Sequence, residues 1–370
     1  MAERTICFFN SSKTWGGGEK WHFDMATRLD RRRWRPIVAA RPDGELFSRL
    51  SGSDIPLFGV KVSGVSFLDP FMRRRIADFF AGEKVDTVIM NLPSDLKTAG
   101  PAAKKAGVGN IVYRRGSAIP VRDTLLNRRL FGRVLTGIIA NSAETKRTIL
   151  KNNPRLIDPE RIEVIYNGID LAVWDESAGT GIYQPRPGEI VIGNAGRLVK
   201  QKGQRYLLDL AEILSRRGLT FTILIAGEGP LKKSLAKEAS RRGLGGRVIF
   251  TGFVPDMRRF MKSIDIFVLP SLWEGFGYVL VEAMASGKPV VAFNHSSNPE
   301  IIADGVTGSL AGGFDVESMA DKVMELSHDR ALRERHGGNG RRRAESLFSI
   351  GKAVLSLERW LDSTSPQASK

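Results

Sequence analysis

The stretch IFVLPSLWEGFGYVLVEAMASGKPVVA, residues 266–292, has the pattern of a complete strand–helix–strand unit. Its first four residues, Ile266–Leu269, and its last three, Val290–Ala292, are short apolar runs typical of fully buried strands. Between them a glycine-rich loop leads into a helix that begins near Tyr278. Because two parallel strands need a crossover connection, which is usually a helix, this order predicts an α/β fold with a parallel sheet.

The same alternation of short apolar runs and amphipathic segments continues along nearly the whole chain of 370 residues. In the first half, the predicted strands are Thr5–Phe9, Ile37–Ala40, Val85–Met90, Asn110–Tyr113, Gly137–Ala140 and Ile162–Ile165. In the second half, Ile190–Gly193, Phe221–Ala226 and Val248–Phe250 precede the two strands quoted above. Since a single core rarely grows beyond about 250–300 residues, we predict two doubly wound α/β domains.

The predicted boundary between the domains is DESAGTGIYQPRP at 175–187, which is rich in Gly, Pro and Ser and has no apolar period, as linkers do. We therefore predict an N-terminal Rossmann-like domain over 1–174 and a C-terminal Rossmann-like domain over 188–345. The remaining residues, 346–370, are predicted to form a C-terminal helix and a tail. Ligands of such folds bind at the carboxyl ends of the strands, so we expect the site in a cleft between the domains.

The composition narrows the class of protein. Lys and Arg number 56 against 40 Asp and Glu, a net charge of +16, and 42% of the residues are hydrophobic, as in ordinary globular chains. One cysteine, Cys7, excludes an internal disulfide framework and a cysteine-cluster metal site. The apolar runs are far shorter than the ~18 residues of a membrane span, and the first ten residues lack a secretory signal pattern. We expect a cytoplasmic protein with an anionic partner: a nucleic acid, a membrane surface or a phosphorylated substrate.

Two glycine-containing loops are candidates for phosphate binding. Gly16–Gly17–Gly18–Glu19 lies between the first predicted strand and a helix whose free N–H groups can face an anion, although a flexible turn has the same composition. The loop GNAGRLVKQKG at 193–203 carries Arg197 and Lys202, a pairing that suits a diphosphate, with a solvated surface loop as the alternative. Neither loop has the GxGxxG or GxxxxGK[ST] spacing, so neither a dinucleotide fingerprint nor a Walker A motif is predicted.

Two carboxylates, Glu274 and Glu282, are separated by seven residues in the stretch quoted first. Gly275 and Gly277 free the backbone before the helix, whose first N–H groups can hold a phosphate. Either glutamate alone is also explained by compensation of the helix dipole. Together they are acceptor-only groups that flank amide donors, an arrangement that can hold hydroxyl groups on both sides of a phosphate. A nucleotide sugar has this chemistry, because it joins a ribose, two phosphates and a second sugar.

These motifs and others give the chain a specific resemblance to the retaining glycosyltransferases of family 4, the "glycosyl transferases group 1", which have the GT-B fold. The matching stretches are GGGE at 16–19, ANS at 140–142, IYNGID at 165–170, GRLVKQKG at 196–203, IAGEGP at 225–230, EGFGYVLVEAMASGKPVVA at 274–292 and PEIIADGVTGSL at 299–310. The resemblance implies two Rossmann-like domains that face each other across a cleft, with the C-terminal helix returning to the N-terminal domain. It also implies transfer of a hexose-type sugar from a nucleotide donor, with retention of anomeric configuration and without a metal ion.

The roles of individual residues follow from this resemblance. It implies that Arg197, Lys202 and Glu274 are catalytic, with the two cations on the donor diphosphate and Glu274 on hydroxyl groups of the transferred sugar. It further implies that Glu282 binds the ribose of the donor. The other implied donor contacts are Gly17, Gly18, Val254, Phe276, Gly277, Tyr278 and Val279. The expected co-substrate is a UDP-sugar, and no other cofactor and no metal is expected.

The sequence departs from the family pattern at two places. Many members carry a histidine near the transferred sugar in the N-terminal domain, whereas the corresponding stretch here, VYRRGSAIP at 112–120, contains none. Arg115 is a candidate replacement on the acceptor side, with a core or surface arginine as the alternative. His22 is a structural residue or an acceptor contact. In the C-terminal domain, HSSNPE at 295–300 occupies the place of a loop that is usually rich in glycine.

Two basic amphipathic segments predict a membrane contact. FMRRRIADFF at 71–80 and TLLNRRLFGRVL at 124–135 combine apolar side chains with arginines, as helices on anionic membranes do. The alternative is a helix that packs by its apolar stripe and keeps its arginines in water. With the resemblance, the segments suggest a lipid-linked or glycan acceptor, of the lipopolysaccharide or cell-envelope polysaccharide type, at the inner face of the cell membrane.

Two other functions compete with this prediction. A sugar-nucleotide epimerase or another GT-B enzyme would share the architecture, but an epimerase needs an acid–base pair, and the sequence shows no convincing one. A basic nucleic-acid-binding protein would agree with the net charge of +16. Its binding surface would combine a basic stripe with stacking aromatic residues, whereas these arginines are scattered among amphipathic helices. We therefore expect a nucleotide sugar and a glycan or lipid-linked acceptor as partners, and no nucleic acid.

Overall fold

The computed structural model describes residues 4–177 and 179–364, which form two compact units. The first unit comprises the chain up to Gly168 together with its end from Ile350, and the second comprises Ile169–Ser349. The segment predicted as a linker, 175–187, is attached to the second unit where the N–H groups of Ile182 and Tyr183 donate to Ser263 Oγ over 2.7 and 3.2 Å. The tail predicted after the last helix lies outside the described residues from position 365 onward.

The first half of the chain alternates strictly between strands and helices. In order, its elements are β1 (Arg4–Asn10), α1 (Gly17–Arg28), β2 (Trp34–Ala40), α2 (Glu45–Leu50), β3 (Leu57–Gly59), α3 (Pro70–Gly82), β4 (Thr87–Met90), α4 (Pro93–Lys105), β5 (Asn110–Arg115), α5 (Leu125–Arg129), β6 (Gly137–Ala140), α6 (Ala143–Leu150) and β7 (Ile162–Val164). Short 3₁₀ turns lie at Ser66–Leu68 and Pro159–Arg161, and α5 continues into a π-helical turn at Leu130–Val134.

The second half repeats this alternation and ends in three consecutive helices. In order, its elements are α7 (Leu171–Asp175), β8 (Ile190–Ala195), α8 (Arg205–Arg216), β9 (Phe221–Ala226), α9 (Lys232–Arg241), β10 (Val248–Gly252), α10 (Met257–Lys262), β11 (Ile266–Leu269), α11 (Tyr278–Ala285), β12 (Val290–Phe293), α12 (Asn298–Ile301), β13 (Gly308–Ala311), α13 (Val316–His328), α14 (Arg330–Leu347) and α15 (Ile350–Thr364). A 3₁₀ turn at Lys200–Lys202 precedes α8.

Each unit is built on a parallel sheet of the doubly wound type. Within the described residues, the first sheet has the order β3-β2-β1-β4-β5-β6-β7 and the second has the order β10-β9-β8-β11-β12-β13. Counted from its own first strand, each sheet thus contains the Rossmann order 3-2-1-4-5-6, to which the first sheet adds β7 as a seventh strand. The prediction of two doubly wound α/β domains is confirmed. The edge strands β3 and β13 were not predicted, because each is a short run without a continuous apolar stretch.

Burial explains why the central strands were readable from the sequence. Every residue of β9 and β11 is buried, since helices cover both faces of a parallel sheet and leave no face for water. Each fully buried Leu, Ile, Val or Phe side chain contributes about 1.5–3 kcal/mol relative to an exposed one. The described residues contain no helix that is both long and apolar enough to cross a membrane.

The last helix returns to the first unit, as the resemblance implies. In α15, the apolar side chains of Val354, Leu357 and Leu361 join the buried cluster that contains Ile6 and Phe8 of β1. The ring of Trp360 packs so closely on β6 that a Cβ atom at Gly137 would lie 2.9 Å from it. The end of the chain therefore completes the core of the domain in which the chain begins.

Candidate functional site

The candidate donor site of the second unit lies where its strand order reverses. Strands β8 and β11 are hydrogen-bonded neighbours, with Ile266 opposite Ile192, and β12 is the next strand. The loops that follow these three strands therefore leave the sheet side by side at its carboxyl edge. In doubly wound folds this reversal opens a crevice in which ligands bind. The two motifs that were predicted to bind the donor, 193–203 and 274–292, follow β8 and β11.

Lys202 and Glu274, both predicted to be catalytic, meet directly at this edge. Lys202 Nζ lies 2.6 Å from Glu274 Oε1, and Ser271 Oγ donates to the same oxygen over 2.7 Å. The exposed fractions of the two side chains are 20% for Lys202 and 6% for Glu274. The cation and the hydroxyl donor replace the water that this buried carboxylate has lost. The pair thus places one positive and one negative group, 72 residues apart in sequence, within one site.

Two hydrogen bonds to backbone carbonyls join the loop that carries Lys202 to the loop that carries Glu274. The side-chain amide of Gln201 donates to the carbonyl of Trp273 over 2.9 Å, and the N–H of Leu272 donates to the carbonyl of Gln201 over 2.8 Å. The loop before α8 and the loop after β11 are therefore one hydrogen-bonded structure. The position of Lys202 against Glu274 does not depend on its flexible side chain alone.

The loop at 295–300, identified as a departure from the family pattern, holds the backbone of Glu274. Ser296 Oγ accepts from the N–H of Glu274 over 3.2 Å and donates to its carbonyl over 2.7 Å. Ser297 Oγ donates to the same carbonyl over 3.2 Å. Ser296 has φ +57°, a left-handed conformation that most residues other than glycine avoid. Two serine side chains therefore hold the backbone of Glu274 by hydrogen bonds that glycines in this loop could not make.

The helix α11 begins at the same edge, in the way that the glycine motif predicts. Gly277 precedes its first turn with φ +85°, a conformation that glycine adopts without strain. Phe276 is buried between the rings of Tyr278 and Phe348, at centroid distances of 5.6 and 5.5 Å. This packing fixes the start of a helix whose N-terminus has the geometry that favours an anion. The phosphate contacts predicted for Tyr278 and Val279 stay predictions.

The other predicted donor residues are distributed around this edge. Arg197 lies exposed on the loop after β8, and Glu282 lies half-buried, five residues into α11. Val254 is half-buried in the loop after β10, at the edge of the same sheet. The structure thus brings Arg197, Lys202, Glu274 and the start of α11 to one sheet edge. The donor contacts predicted for these residues, and for Val254 and Glu282, stay predictions.

The first unit carries a separate polar cluster where its own strand order reverses. Glu19, near the start of α1, is buried and accepts from the side-chain amides of Asn10 and Asn91 over 3.1 and 3.4 Å. Asn91 in turn accepts from Arg114 over 3.2 Å. A Cβ atom at Gly18 would lie only 2.4 Å from the Asn91 amide, so the glycine motif lets α1 approach this cluster closely. The donor contacts predicted for Gly17 and Gly18 stay predictions.

Arg114, not Arg115, is the arginine of this cluster. Its side chain is 97% buried, since its exposed fraction is 3%, and it donates to Asn167 Oδ1 over 2.8 Å as well as to Asn91. Its guanidinium lies 5.3 Å from the centre of the Trp21 ring. Arg115 is half-buried and donates to the carbonyl of Ile119 in the following loop. The sequence alone does not tell which face of β5 each arginine occupies, and the acceptor-side role of Arg115 stays a prediction.

His22 is a fully buried residue. Its Nδ1 lies 3.0 Å from the carbonyl oxygen of Gly18, and its Nε2 lies 3.3 Å from that of Ile89. Burial, with the nearby charge of Arg114 as the second cause, lowers the pKa of His22 to about 3. The ring is therefore neutral at physiological pH, and one of its nitrogens donates to a backbone carbonyl. This environment accounts for His22 as a structural residue that joins α1 to β4.

Asp95 is a further buried acid that the sequence reasoning missed. Both of its oxygens accept hydrogen bonds, from Ser11 Oγ over 2.5 Å and from the N–H of Leu92 over 3.1 Å. Burial raises the pKa of Asp95 to about 7, and the hydrogen bonds from Ser11 oppose this shift. Asp95 thereby connects the end of β1 to the start of α4. Within the described residues, no group of three or more His, Cys, Asp or Glu side chains is placed to hold a metal ion.

Family models match both halves of the chain. Residues 15–173 match the model described as "Glycosyltransferase Family 4", and residues 181–343 match the model described as "Glycosyl transferases group 1". One relative is the lipopolysaccharide core biosynthesis mannosyltransferase LpcC of Rhizobium leguminosarum bv. viciae. It is 31% identical to this chain in an alignment that covers 52% of this chain and 57% of LpcC. The putative glycosyltransferase EpsF of Bacillus subtilis is 33% identical over 51% of this chain and 48% of its own. The chain thus spans about half the length of these relatives.

Solved structures with the same fold extend over the whole chain. A crystal structure of Anabaena Alr3699/HepE in complex with UDP and glucose superposes with a TM-score of 0.81 at 24% identity, covering 97% of this chain and 100% of the other. A glycosyltransferase from Rickettsia africae superposes with a TM-score of 0.84 at 18% identity, covering 100% of both chains. At these identities the likeness concerns the fold, and it confirms the predicted GT-B class.

Proposed function

Because the chain belongs to family 4 of the group 1 glycosyltransferases, we propose that it transfers a sugar from a nucleotide diphosphate sugar to a hydroxyl group of a glycan or lipid-linked acceptor. The observation that carries the proposal is the contact between Lys202 and Glu274 at the carboxyl edge of the second sheet. One group is the cation that a diphosphate requires, and the other is an acceptor for sugar hydroxyl groups. The start of α11, beside them, supplies N–H groups for a phosphate.

The proposed chemistry is the electrostatic stabilisation of a departing diphosphate. As the bond from the sugar C1 to the phosphate oxygen lengthens, negative charge grows on the phosphate and positive charge grows on the sugar ring. Lys202, Arg197 and the N–H groups at the start of α11 stabilise the phosphate without reorganising, because hydrogen bonds already fix their loops. An ammonium has three donors, so Lys202 can keep one on Glu274 and direct another to a phosphate oxygen.

We propose that the transfer retains the anomeric configuration. The acceptor hydroxyl attacks C1 on the face from which the phosphate leaves, the bond from C1 to the phosphate oxygen breaks, and the departing phosphate oxygen takes the hydroxyl proton. This sequence requires no protein base. It also requires no metal ion, since the cations of Lys202 and Arg197 do the work that a divalent ion does in other transferases. The supporting observation is that Lys202 is held in place by a hydrogen-bonded loop.

UDP is the donor nucleotide that we propose. Support comes from the HepE structures, whose complexes contain UDP, UDP with glucose, and UDP-glucose, on the same fold. The acceptor that we propose is a polysaccharide or lipopolysaccharide precursor, supported by the relatives named for lipopolysaccharide core and capsular polysaccharide biosynthesis. We place the reaction in the cytoplasm, at the inner face of the membrane.

A ligand screen followed by product analysis tests this function. A nucleotide sugar that binds only the folded protein raises its unfolding free energy by about 2.7 kcal/mol at a hundred times its Kd. We expect a rise in melting temperature with UDP-sugars, and a smaller rise when Glu274 is changed to Gln. Proton NMR of the glycoside formed from the stabilising donor then reports its anomeric configuration. An inverted product would refute retention, and no stabilisation by any nucleotide sugar would refute the donor site.

A further inference from the structure

Six large apolar side chains of the first unit are exposed near the starts of its helices. Phe71 and Leu125, in the first turns of α3 and α5, have exposed fractions of 83% and 84%. The four others lie in adjacent turns and loops, and we call the whole set the apolar rim: Val65, Leu68, Phe71, Ile119, Leu125 and Leu126. Exposing such side chains to water costs free energy, so a cluster of them indicates a surface that is covered by another phase or molecule.

The packing of three helices brings these residues to one edge of the unit. Helix α4 packs against both α3 and the π-helical turn at Leu130–Val134. Lys104 Nζ donates to the carbonyl of Arg133 over 2.6 Å, which sets the last turn of α4 beside the end of that turn. Lys97 Nζ lies 5.9 Å from the ring of Phe67, which sets the turn that carries Leu68 beside the first half of α4.

This geometry corrects the simple picture of two amphipathic helices lying on a membrane. Phe80, Leu130 and Phe131, which the sequence pattern also offered as apolar contacts, are buried in the core of the first unit. The apolar side chains of the two segments that remain exposed lie in or before the first turns of α3 and α5. Because helices that follow parallel strands begin at the carboxyl edge of the sheet, the apolar rim lies along that edge, where the polar cluster of Glu19 and Arg114 also lies.

The charge around the apolar rim is strongly positive. The two segments 65–80 and 119–133 contain seven arginines against three aspartates. Arg73, Arg122 and Arg129 have exposed side chains beside the apolar residues of these segments. Guanidinium groups bind phosphate oxygens in a bidentate geometry. Aromatic and leucine side chains beside basic residues are typical of surfaces that enter the headgroup region of anionic bilayers.

We propose that the apolar rim docks on an anionic lipid bilayer, with Phe71 and Leu125 inserted among the headgroups and the neighbouring arginines on lipid phosphates. A bilayer fits better than a protein partner, because the exposed apolar side chains are accompanied by exposed arginines, and an anionic bilayer offers phosphate groups next to an apolar interior. The inference rests on the proposed function only for the reason to dock, because a lipid-linked acceptor would be presented by the membrane. Vesicle binding itself needs no sugar donor.

Vesicle sedimentation with the full chain tests the proposal. We expect the protein to sediment with phosphatidylcholine vesicles that contain phosphatidylglycerol, and not with phosphatidylcholine alone. The double variant Phe71→Ser/Leu125→Ser should bind the anionic vesicles at least about tenfold more weakly, because two inserted side chains are lost. The variant Arg73→Gln/Arg129→Gln should bind more weakly at low salt and show a flatter salt dependence.

A matched double variant controls for the loss of exposed apolar side chains as such. Val306 and Leu355 are 51% and 50% exposed and lie outside the apolar rim, so Val306→Ser/Leu355→Ser should sediment like the unmodified protein. Urea unfolding, measured on every variant, shows whether the fold is intact. The proposal is overturned if Phe71→Ser/Leu125→Ser binds vesicles normally, or if the control variant loses as much binding.

Three further outcomes test the proposal against its alternatives. If the protein is a dimer in solution that Phe71→Ser/Leu125→Ser converts to a monomer, and it binds no vesicles, the rim is an interface between two copies and the membrane proposal is wrong. If the protein binds anionic vesicles through the rim but no nucleotide sugar, docking stands and the proposed glycosyl transfer fails. Equal binding to neutral and anionic vesicles overturns the role of the arginines.

Discussion

Replacing Lys202 by methionine removes the ammonium group and keeps an unbranched apolar stem of similar length. The lost group lies 2.6 Å from Glu274 and, in the proposed mechanism, on the departing phosphate. Loss of one preorganised electrostatic stabiliser lowers turnover by about 10²–10³, which corresponds to about 3–4 kcal/mol at the transition state. We therefore expect kcat of Lys202→Met to fall at least about a hundredfold.

The same substitution also leaves the Glu274 carboxylate buried without its cation. Removing one partner of a fully buried pair costs about 3–5 kcal/mol of unfolding free energy. Here the Lys202 side chain is 20% exposed, and Ser271 still donates to the carboxylate, so the cost should be smaller, about 1–3 kcal/mol. Adding Glu274→Gln removes the stranded charge, and this double variant should regain stability without regaining activity.

The assay measures release of the nucleoside diphosphate from the donor that stabilises the protein, with urea unfolding in parallel. Lys200→Met is the matched control, because Lys200 is an exposed lysine two residues earlier on the same loop. We expect Lys200→Met to keep normal turnover and stability. Full turnover of Lys202→Met with an intact fold, or an equal loss in Lys200→Met, would refute the role of this cation.

Three other expectations follow from the structure. Between pH 6.5 and about 4, acidification lowers the unfolding free energy through His22, because the histidine takes up a proton in the unfolded protein. Over the same range it raises the unfolding free energy through Asp95, because this acid takes up a proton in the folded protein. Asp95→Asn should therefore lose unfolding free energy more steeply on acidification than the unmodified protein, by up to about 1.4 kcal/mol per pH unit in urea titrations, and parallel curves would contradict this. Ser296→Gly and Ser296→Ala both remove the side-chain hydrogen bonds to the Glu274 backbone, so each should weaken binding of the UDP-sugar about tenfold by calorimetry. The alanine variant should also have a lower Tm than the glycine variant, because position 296 has φ +57°. Unchanged affinity would refute the positioning role of Ser296. Turnover should persist in EDTA, and a loss that Mg²⁺ restores would contradict metal independence.

Local patterns predicted the elements and loops that carry the donor motifs, because these parts are continuous in sequence. The strand, glycine loop and helix at 266–285 follow one another directly, so their spacing alone sets Glu274 and Gly277 at the start of α11. The loop at 196–203 likewise follows β8 without interruption. That these two loops touch follows from the strand order, which doubly wound sheets share.

The polar cluster of the first unit could not be predicted in this way, because it is assembled from distant segments. Glu19, Asn91 and Asn167 come from three separate parts of the chain. Asn91 donates directly to Glu19, and Arg114 connects Asn91 to Asn167. The choice between two adjacent arginines depends on which face of β5 each occupies, and a shift of one residue in register would exchange them. No pattern along a strand that is buried on both faces distinguishes these two positions.

The sequence by itself determined the two doubly wound domains, the order of their elements and the loops that carry the donor motifs. Strands buried on both faces read as continuous apolar runs, and strand-to-helix loops are local in the chain. Only the tertiary structure decided that Lys202 neutralises Glu274, that two serines hold the Glu274 backbone, and that Phe71 and Leu125 are exposed while Phe80 is buried. These facts depend on which surfaces pack together, and packing joins residues that the chain separates.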